Sequence, residues 1–390
     1  MRNLWLGGVL FLAAVGCGGE EAPANPPPTT MTSASATPPP PPVTSASAAT
    51  VTPPPKPPLA DLIKKTMADQ EAGWAAHDTA KVVAGYAPDA TFAMPGPMGW
   101  HEQKRDEMQK DLEGMFKAFP DLKLTPTRVF MKGNMVVMEA VMSGTNSGEF
   151  MGEKATGKKI GHRSAMVMWF NDDGLISKEH VYHDHATMMG HLGHAMPGMK
   201  MRPVEAIPTV TLEQVSSGDN AVEAKNETAA KALYGSFDKK DDKAFLGSFA
   251  DESTLADYTR HEDLKGKDVP KKWWAEVYKS FPDLKVSVTD SMAIGDYVIS
   301  EIEVSGTFKG DYQGMKATGK SGKVHQLNVL KFNKDGKIAW SGIWGSRAEA
   351  ASAYGVPMPG PKPGAAAAPA GGKDKDKDKV KEKKEPEKKK

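Results

Sequence analysis

The chain has 390 residues, 25% of them charged, with a formal net charge of +1. That length admits two or three domains, and so balanced a charge leaves no electrostatic footprint for nucleic acid. Cys17 is the single cysteine, so no intramolecular disulfide can form and each folded part must stand on its own core.

Met1-Arg2 leads an apolar run from Leu4 to Val15 that ends at Ala14-Val15-Gly16-Cys17. At about 12 residues the run is shorter than the roughly 20 a spanning helix needs, so it reads as a secretory h-region. It resembles a bacterial lipoprotein signal, in which small residues precede a lipid-modified cysteine. The resemblance implies acylation of Cys17 and anchoring to a lipid membrane of the cell envelope. Gly18, in place of the aspartate that signals inner-membrane retention, implies the outer membrane. Residues 18–58 are Pro, Ala, Ser and Thr with almost no large apolar side chain, a composition expected to remain an extended tether.

Domain one is expected over residues 59–195. Apolar residues at helical spacing predict a helix from Leu59 to Trp74, and Asp78 is placed to cap a second, short one through Val82-Val83. A short strand is expected at Ala90–Met94, then a helix from about Glu102 to Ala118, stopped by Phe119-Pro120 because proline disfavours helical geometry in the residue before it. Four extended runs follow, Leu124–Phe130, Met135–Ser143, Ile160–Phe170 and Leu175–Asp184, the last two joined by the turn signal Asn171-Asp172-Asp173-Gly174. A short helix through Met188-Met189 closes the set. Residues 196–219 read as a linker.

Domain two, residues 220–355, repeats this order. Phe119-Pro120-Asp121-Leu122-Lys123 returns as Phe281-Pro282-Asp283-Leu284-Lys285, Ala155-Thr156-Gly157-Lys158 as Ala317-Thr318-Gly319-Lys320, Ser143-Gly144-Thr145 as Ser305-Gly306-Thr307 and Asp173-Gly174 as Asp335-Gly336. Every pair has the same offset of 162 residues (119 to 281, 173 to 335). Solenoid repeats run at about 20 to 50 residues, so this period means two copies of one domain. Residues 356–390, Pro/Gly/Ala and then Lys-rich, read as a disordered tail. Helices first and antiparallel strands after is an α+β pattern.

The order of elements, with Phe-Pro-Asp-Leu, Gly-Thr-x-x-Gly-x-x-x-Gly and the Asp-Gly hairpin, resembles the SnoaL-like polyketide cyclases of the nuclear transport factor two-like superfamily. The resemblance covers both repeats. It implies two tandem cone-shaped α+β barrel domains, in each of which a curved sheet wraps the helices around a mostly apolar cavity. It also implies a small, largely apolar molecule as ligand, no cofactor, and use of the sheet faces for pairing, either in a homodimer or in an intramolecular pseudo-dimer of the two domains.

In the cyclases a final-strand aspartate acts as general acid and base, in the context Glu-x-x-x-x-Asp followed by a helix ending Leu-Gly. Here Glu179 to Asp184 and Leu192-Gly193 match, so the resemblance places Asp184 at the catalytic position. Strand alternation puts His180 and Tyr182 on the same face as Asp184, where either is expected to hydrogen-bond a substrate oxygen. The alternative is that Asp184 only caps the following helix. At offset 162 domain two has Ser346 for Asp184, Ser341 for Glu179, Gly342 for His180, Trp344 for Tyr182 and Gly345 for His183, so the second copy reads as a binding or structural domain.

Eight of the ten histidines fall in domain one. His183, His185, His191 and His194, interleaved with methionines, form a candidate metal set, since imidazole and thioether together suit copper. Core methionines with surface histidines are the alternative. The chain thus reads as a membrane-anchored pair of ligand-binding domains with acid/base chemistry in the first. A non-catalytic binding or pairing module and a metal-binding envelope protein are the competing readings.

Replacing Cys17 with Ser should abolish lipid attachment and leave both domains folded, because the tether separates the anchor from the cores. Detergent-phase partitioning checks this; equal partitioning of wild type and variant would count against acylation.

Overall fold

The computed structural model describes residues 56–209 and 211–357. Cys17, the tether up to residue 55 and the tail from residue 358 lie outside the described residues. In domain one, α1 (Leu59–Ala76) buries Ile63, Thr66, Gln70 and Gly73, a spacing that keeps one face inward. It stops at His77 in the left-handed conformation, and Asp78 caps α2 (Thr79–Val83) by accepting the Lys81 N–H at 3.0 Å. Strands β1 (Tyr86–Gly96) and β2 (Gly99–Lys104) form a hairpin ahead of α3 (Arg105–Ala118). Then come β3 (Lys123–Lys132), β4 (Met135–Thr145), β5 (Lys159–Phe170), β6 (Ile176–His183) and α4 (His185–His191).

Domain two repeats these parts as α5 (Asn220–Lys239), α6 (Asp242–Gly247), β8 (Phe249–Asp257), β9 (Leu264–Lys265), α7 (Val269–Ser280), β10 (Lys285–Ile294), β11 (Tyr297–Thr307), β12 (Ser321–Phe332), β13 (Ile338–Trp344) and α8 (Arg347–Ala353). Between the domains lies β7 (Glu213–Ser216). The strand orders are β2-β1-β6-β5-β4-β3-β7 and β10-β11-β12-β13-β8-β9, so each sheet is open, and in each the first strand of the domain runs parallel to the last. No described helix is long and apolar enough to cross a membrane.

The repeated motifs are the fastenings of this fold. Asp121, just past the helix stop, accepts the backbone N–H and hydroxyl of Thr145 at 2.6 and 2.8 Å, and Asp283 does the same to Thr307 at 2.7 and 2.6 Å. Each aspartate therefore ties the start of one strand to the end of its neighbour. In the β5–β6 turn Asn171 Oδ1 accepts two backbone N–H groups, and Gly174 takes a positive φ of 71° that a side chain would resist.

Two elements differ from the expectation. Residues 99–104, expected in part to begin a helix, form β2, because Gly99 at φ 93° turns the chain back onto β1. The stretch read as a linker is docked rather than free: β7 joins β3, Met196 and Met199 enter the core of domain two, and Glu205 donates its N–H to the Gly161 carbonyl at 2.9 Å.

Each sheet is covered on both sides. The concave face of the first packs Val136, Met138, Ala140, Met166 and Met168 against Ile63, Leu112 and Phe116 of its own helices. The opposite face sets Phe130, Val137, Ala165, Val167 and Tyr182 against Ile294, Tyr297, Ile299, Leu327, Val329 and Trp344 of domain two. That is why β4 and β5 read as near-continuous apolar runs rather than alternating ones.

Candidate functional site

Alternation along β6 sends His180 and Tyr182 to one face and Glu179, Val181 and His183 to the other. The face of His180 and Tyr182 is the one against domain two. The Tyr182 hydroxyl donates to Glu301 Oε1 at 2.7 Å, and His180 Nδ1 meets the same oxygen at 2.7 Å. The rings of Trp100 and Trp169 close around His180, each with its centroid at 5.0 Å. Both residues expected to touch substrate thus join the domains.

Asp184 stands at the same seam and is 3% exposed. It caps α4, accepting the N–H and hydroxyl of Thr187 at 3.1 and 2.7 Å. From domain two, Arg347 supplies its backbone N–H at 2.8 Å, Nε at 2.9 Å and Nη2 at 2.6 Å. An ionised carboxylate offers about four acceptor sites. Five donor contacts occupy the carboxylate, four on Oδ2 and one on Oδ1. Asp184 thus has the contacts of the alternative role, a helix cap, and is also an interdomain anchor. Its counterpart Ser346 caps α8 by accepting the Glu349 N–H at 3.3 Å, so the capping role is common to both copies.

The concave face of domain one holds the ionisable groups that point into the cone. The Tyr86 hydroxyl, at the start of β1, donates a hydrogen bond to Glu179 Oε2. Burial pushes the Glu179 carboxyl up to about 7, with the Tyr86 bond pulling the other way. Burial, and then the charge of Glu179, raises the Tyr86 phenol well above its usual value. Domain two has lost both members of the pair, with Phe249 where domain one has Tyr86 and Ser341 where it has Glu179. The resemblance pointed to Glu179 only as the opening letter of a motif, yet joint loss in the twin marks the two residues as one unit.

Further along the same face, His162 is 3% exposed and neither of its ring nitrogens has a partner, nor does the hydroxyl of neighbouring Ser164. The rings of His162 and His183 lie 5.3 Å apart, and those of His183 and His185 6.1 Å apart. His191 Nε2 meets the carbonyl of Arg202 at 2.8 Å, and His194 lies beyond the end of α4. Among the described residues no group of three or more His, Cys, Asp or Glu side chains is arranged to hold a metal ion. The expected set of His183, His185, His191 and His194 is therefore not brought to one point. His162, distant in sequence, is the histidine that pairing of β5 with β6 adds to His183.

The cone of domain two contains a cavity of about 40 Å³, walled by Phe237, Phe245, Leu330 and Trp273 and bordered by Tyr234, Asn328 and Ser341. The Tyr234 hydroxyl lies against Ser300 and Asn328, and Asn328 Oδ1, Ser341 Oγ and Trp273 Nε1 have no protein hydrogen-bond partner.

Residues 65–192 and again 228–350 match the family described as SnoaL-like polyketide cyclase, and the chain belongs to that family. Among solved structures it is similar to IdmH from Streptomyces antibioticus, with 26% identity over 34% of this chain and 98% of that one (TM-score 0.30). A SnoaL-like protein from Jannaschia sp. CCS1 is 16% identical over 36% of this chain and 99% of its own (TM-score 0.33). TsrD from Streptomyces laurentii is 15% identical over 36% of this chain and 98% of its own (TM-score 0.32). A comparison with curated proteins gave no match. The fold is that of ligand-binding and cyclase or isomerase domains.

Two outcomes follow for stability. Arg347→Leu leaves the Asp184 carboxylate buried without its counter-ion and should cost about 3–5 kcal/mol, read by urea unfolding. The histidine cluster predicts acid sensitivity. Burial, and then His185, lower His183 to about 4, and burial with the neighbouring histidines holds His162 well below 6.5. The unfolded chain takes up these protons first, so their stabilising contribution is full above pH 6.5 and lost as pH falls toward 4. Glu179 works oppositely, its contribution shrinking as pH rises from 4.5 to 7. His162→Leu should therefore flatten the acid limb of stability between pH 6.5 and 4; an unchanged limb would refute the assignment.

Proposed function

We propose that the protein is an exported, membrane-anchored member of the family whose first domain binds a small, largely apolar molecule and moves a proton on it, in cyclase or isomerase chemistry. The observation that carries this reading is the buried Glu179–Tyr86 pair on the concave face, with the carboxyl raised by burial to about 7. A proton-transfer group is most effective when its pKa lies near the working pH. At neutral pH Glu179 is divided between its two forms. It is able to take a proton from carbon beside a carbonyl and return one to the developing alkoxide. The Tyr86 hydroxyl donates to the carboxylate and steadies its ionised form. His162, neutral and with both nitrogens free of protein partners, supplies a donor on the same concave face for the substrate oxygen. The apolar lining from Met108, Leu112, Met138 and Met166 supports a hydrophobic ligand body.

The interior methionines and aromatics also support a second reading, in which the two domains form a binding and pairing module without turnover. In that reading the sheet-to-sheet contact takes the place of a homodimer. Glu179→Gln separates the two. With a ketone substrate found by screening, the catalytic reading expects turnover to fall by roughly 10² to 10⁴, with ligand affinity little changed. Full turnover by the variant would remove Glu179 from the chemistry and favour the binding module.

A further inference from the structure

We infer that the surface of domain one around the Phe150–Gly152 loop is a docking face for residues 358–362 of the same chain. The internal repeat runs on past the second domain. Met196-Pro197-Gly198-Met199-Lys200 returns as Met358-Pro359-Gly360-Pro361-Lys362, at the offset of 162 that relates the two domains. Residues 358–362 lie outside the described residues; the first copy of the motif lies within them.

That first copy fastens the end of domain one to domain two. Met196 and Met199 are 7% and 8% exposed and join the core that holds Phe281, Met315 and Tyr354. Gly198 lies directly against Gly314, where a Cβ would collide with the Gly198 carbonyl, so the approach is one of bare backbone. Arg347 Nη1 donates to the Lys200 carbonyl at 2.9 Å.

The same contact is prepared on domain one. The junction joins equivalent positions of the two copies, since Phe130 and Met292, Val137 and Ile299, and Tyr182 and Trp344 share one core. An arrangement of this two-fold kind matches each face that domain two offers to domain one with an equivalent face offered in return. The receiving loop has the same shape: Met151 and Gly152, at φ 51° and 78°, repeat Gln313 and Gly314, at 47° and 85°. The bridge between Phe150 and Glu153 repeats that between Tyr312 and Met315. Phe150 packs on Phe119 with ring centroids 5.3 Å apart, as Tyr312 does on Phe281 at 5.6 Å. Met151, 46% exposed, adds an apolar side chain to that loop. His185 stands at the place of Arg347, as the donor for the Lys362 carbonyl. The chain also leaves both domains alike: Val356 donates its N–H to the Ala351 carbonyl at 2.8 Å, as His194 does to Met189 at 2.9 Å. Met358 is two residues further on, so the segment starts where its twin starts and has no linker to cross.

Amide hydrogen exchange on the full chain, read by mass spectrometry, tests this. Met358→Asp removes the apolar anchor and Gly360→Val blocks the backbone approach, so each should raise exchange of residues 149–153 by about tenfold or more. The twin loop, residues 311–315, is held by residues 196–199 and should keep its rate in both variants, which reports that the fold is intact. Gly372→Val, later in the same tail, should change neither loop. Light scattering on the same samples gives the oligomeric state. The inference is overturned if either variant leaves residues 149–153 at the wild-type rate, or if Gly372→Val raises that rate as much. It is also overturned if the protection is present only in a dimer, meaning that the segment docks on a second copy.

Discussion

The rest of the structure depends on the burial of one sheet face against the other. Strands β4, β5 and β6 meet their own helices on one side and domain two on the opposite side, so a residue's parity along the strand decides its partners. Odd positions of β4 and β5 and even positions of β6 serve the junction, and the remainder serve the cone. A polar side chain on the junction face must find its partner across the seam. Glu301 finds His180 and Tyr182, Lys132 finds Glu223 at 2.7 Å, and Asp184 finds Arg347.

The two copies solve the same positions differently. Glu139 and Glu301 are equivalents at offset 162, each on the junction face. Arg128 of the same domain holds Glu139 through two contacts of 2.9 Å and packs over the rings of Tyr297 and Trp340. Glu301 instead takes its donors from domain one. The same carboxylate at equivalent positions is thus held within its own domain in one copy and across the junction in the other.

Much of the fold was legible in the sequence. The offset of 162 residues fixed the tandem copies, Asp78 and Phe119-Pro120 marked helix ends, and Asn171 to Gly174 marked the hairpin. Hairpin β1–β2 was hidden because its turn depends on the positive φ of Gly99, and β7 because four residues carry little periodic signal. The candidate site was legible only to the level of the strand. Periodicity grouped His180 and Tyr182 on one face, where both meet Glu301, but it does not say which face looks inward. That is fixed by the long-range packing of β5 and β6 against helices and against domain two. His162 and Glu179 were missed for the same reason.

Because the outer faces and the Asp184 end are taken up by the junction, the groups left for chemistry lie inside the cones, and there the copies diverge. Holding Glu179 in domain one raises its pKa from 4.5 to about 7. A shift of that size corresponds to roughly 3 kcal/mol of stability forgone once the carboxyl ionises. Domain two folds the same strand against the same kind of helix layer with Ser341 and Phe249 in these places, and Ser341 is only 3% exposed. The architecture therefore does not require a buried carboxyl there. A charge-bearing pair that the fold can omit, and that costs stability where it is present, is better explained by what it does in the cone than by what it holds together.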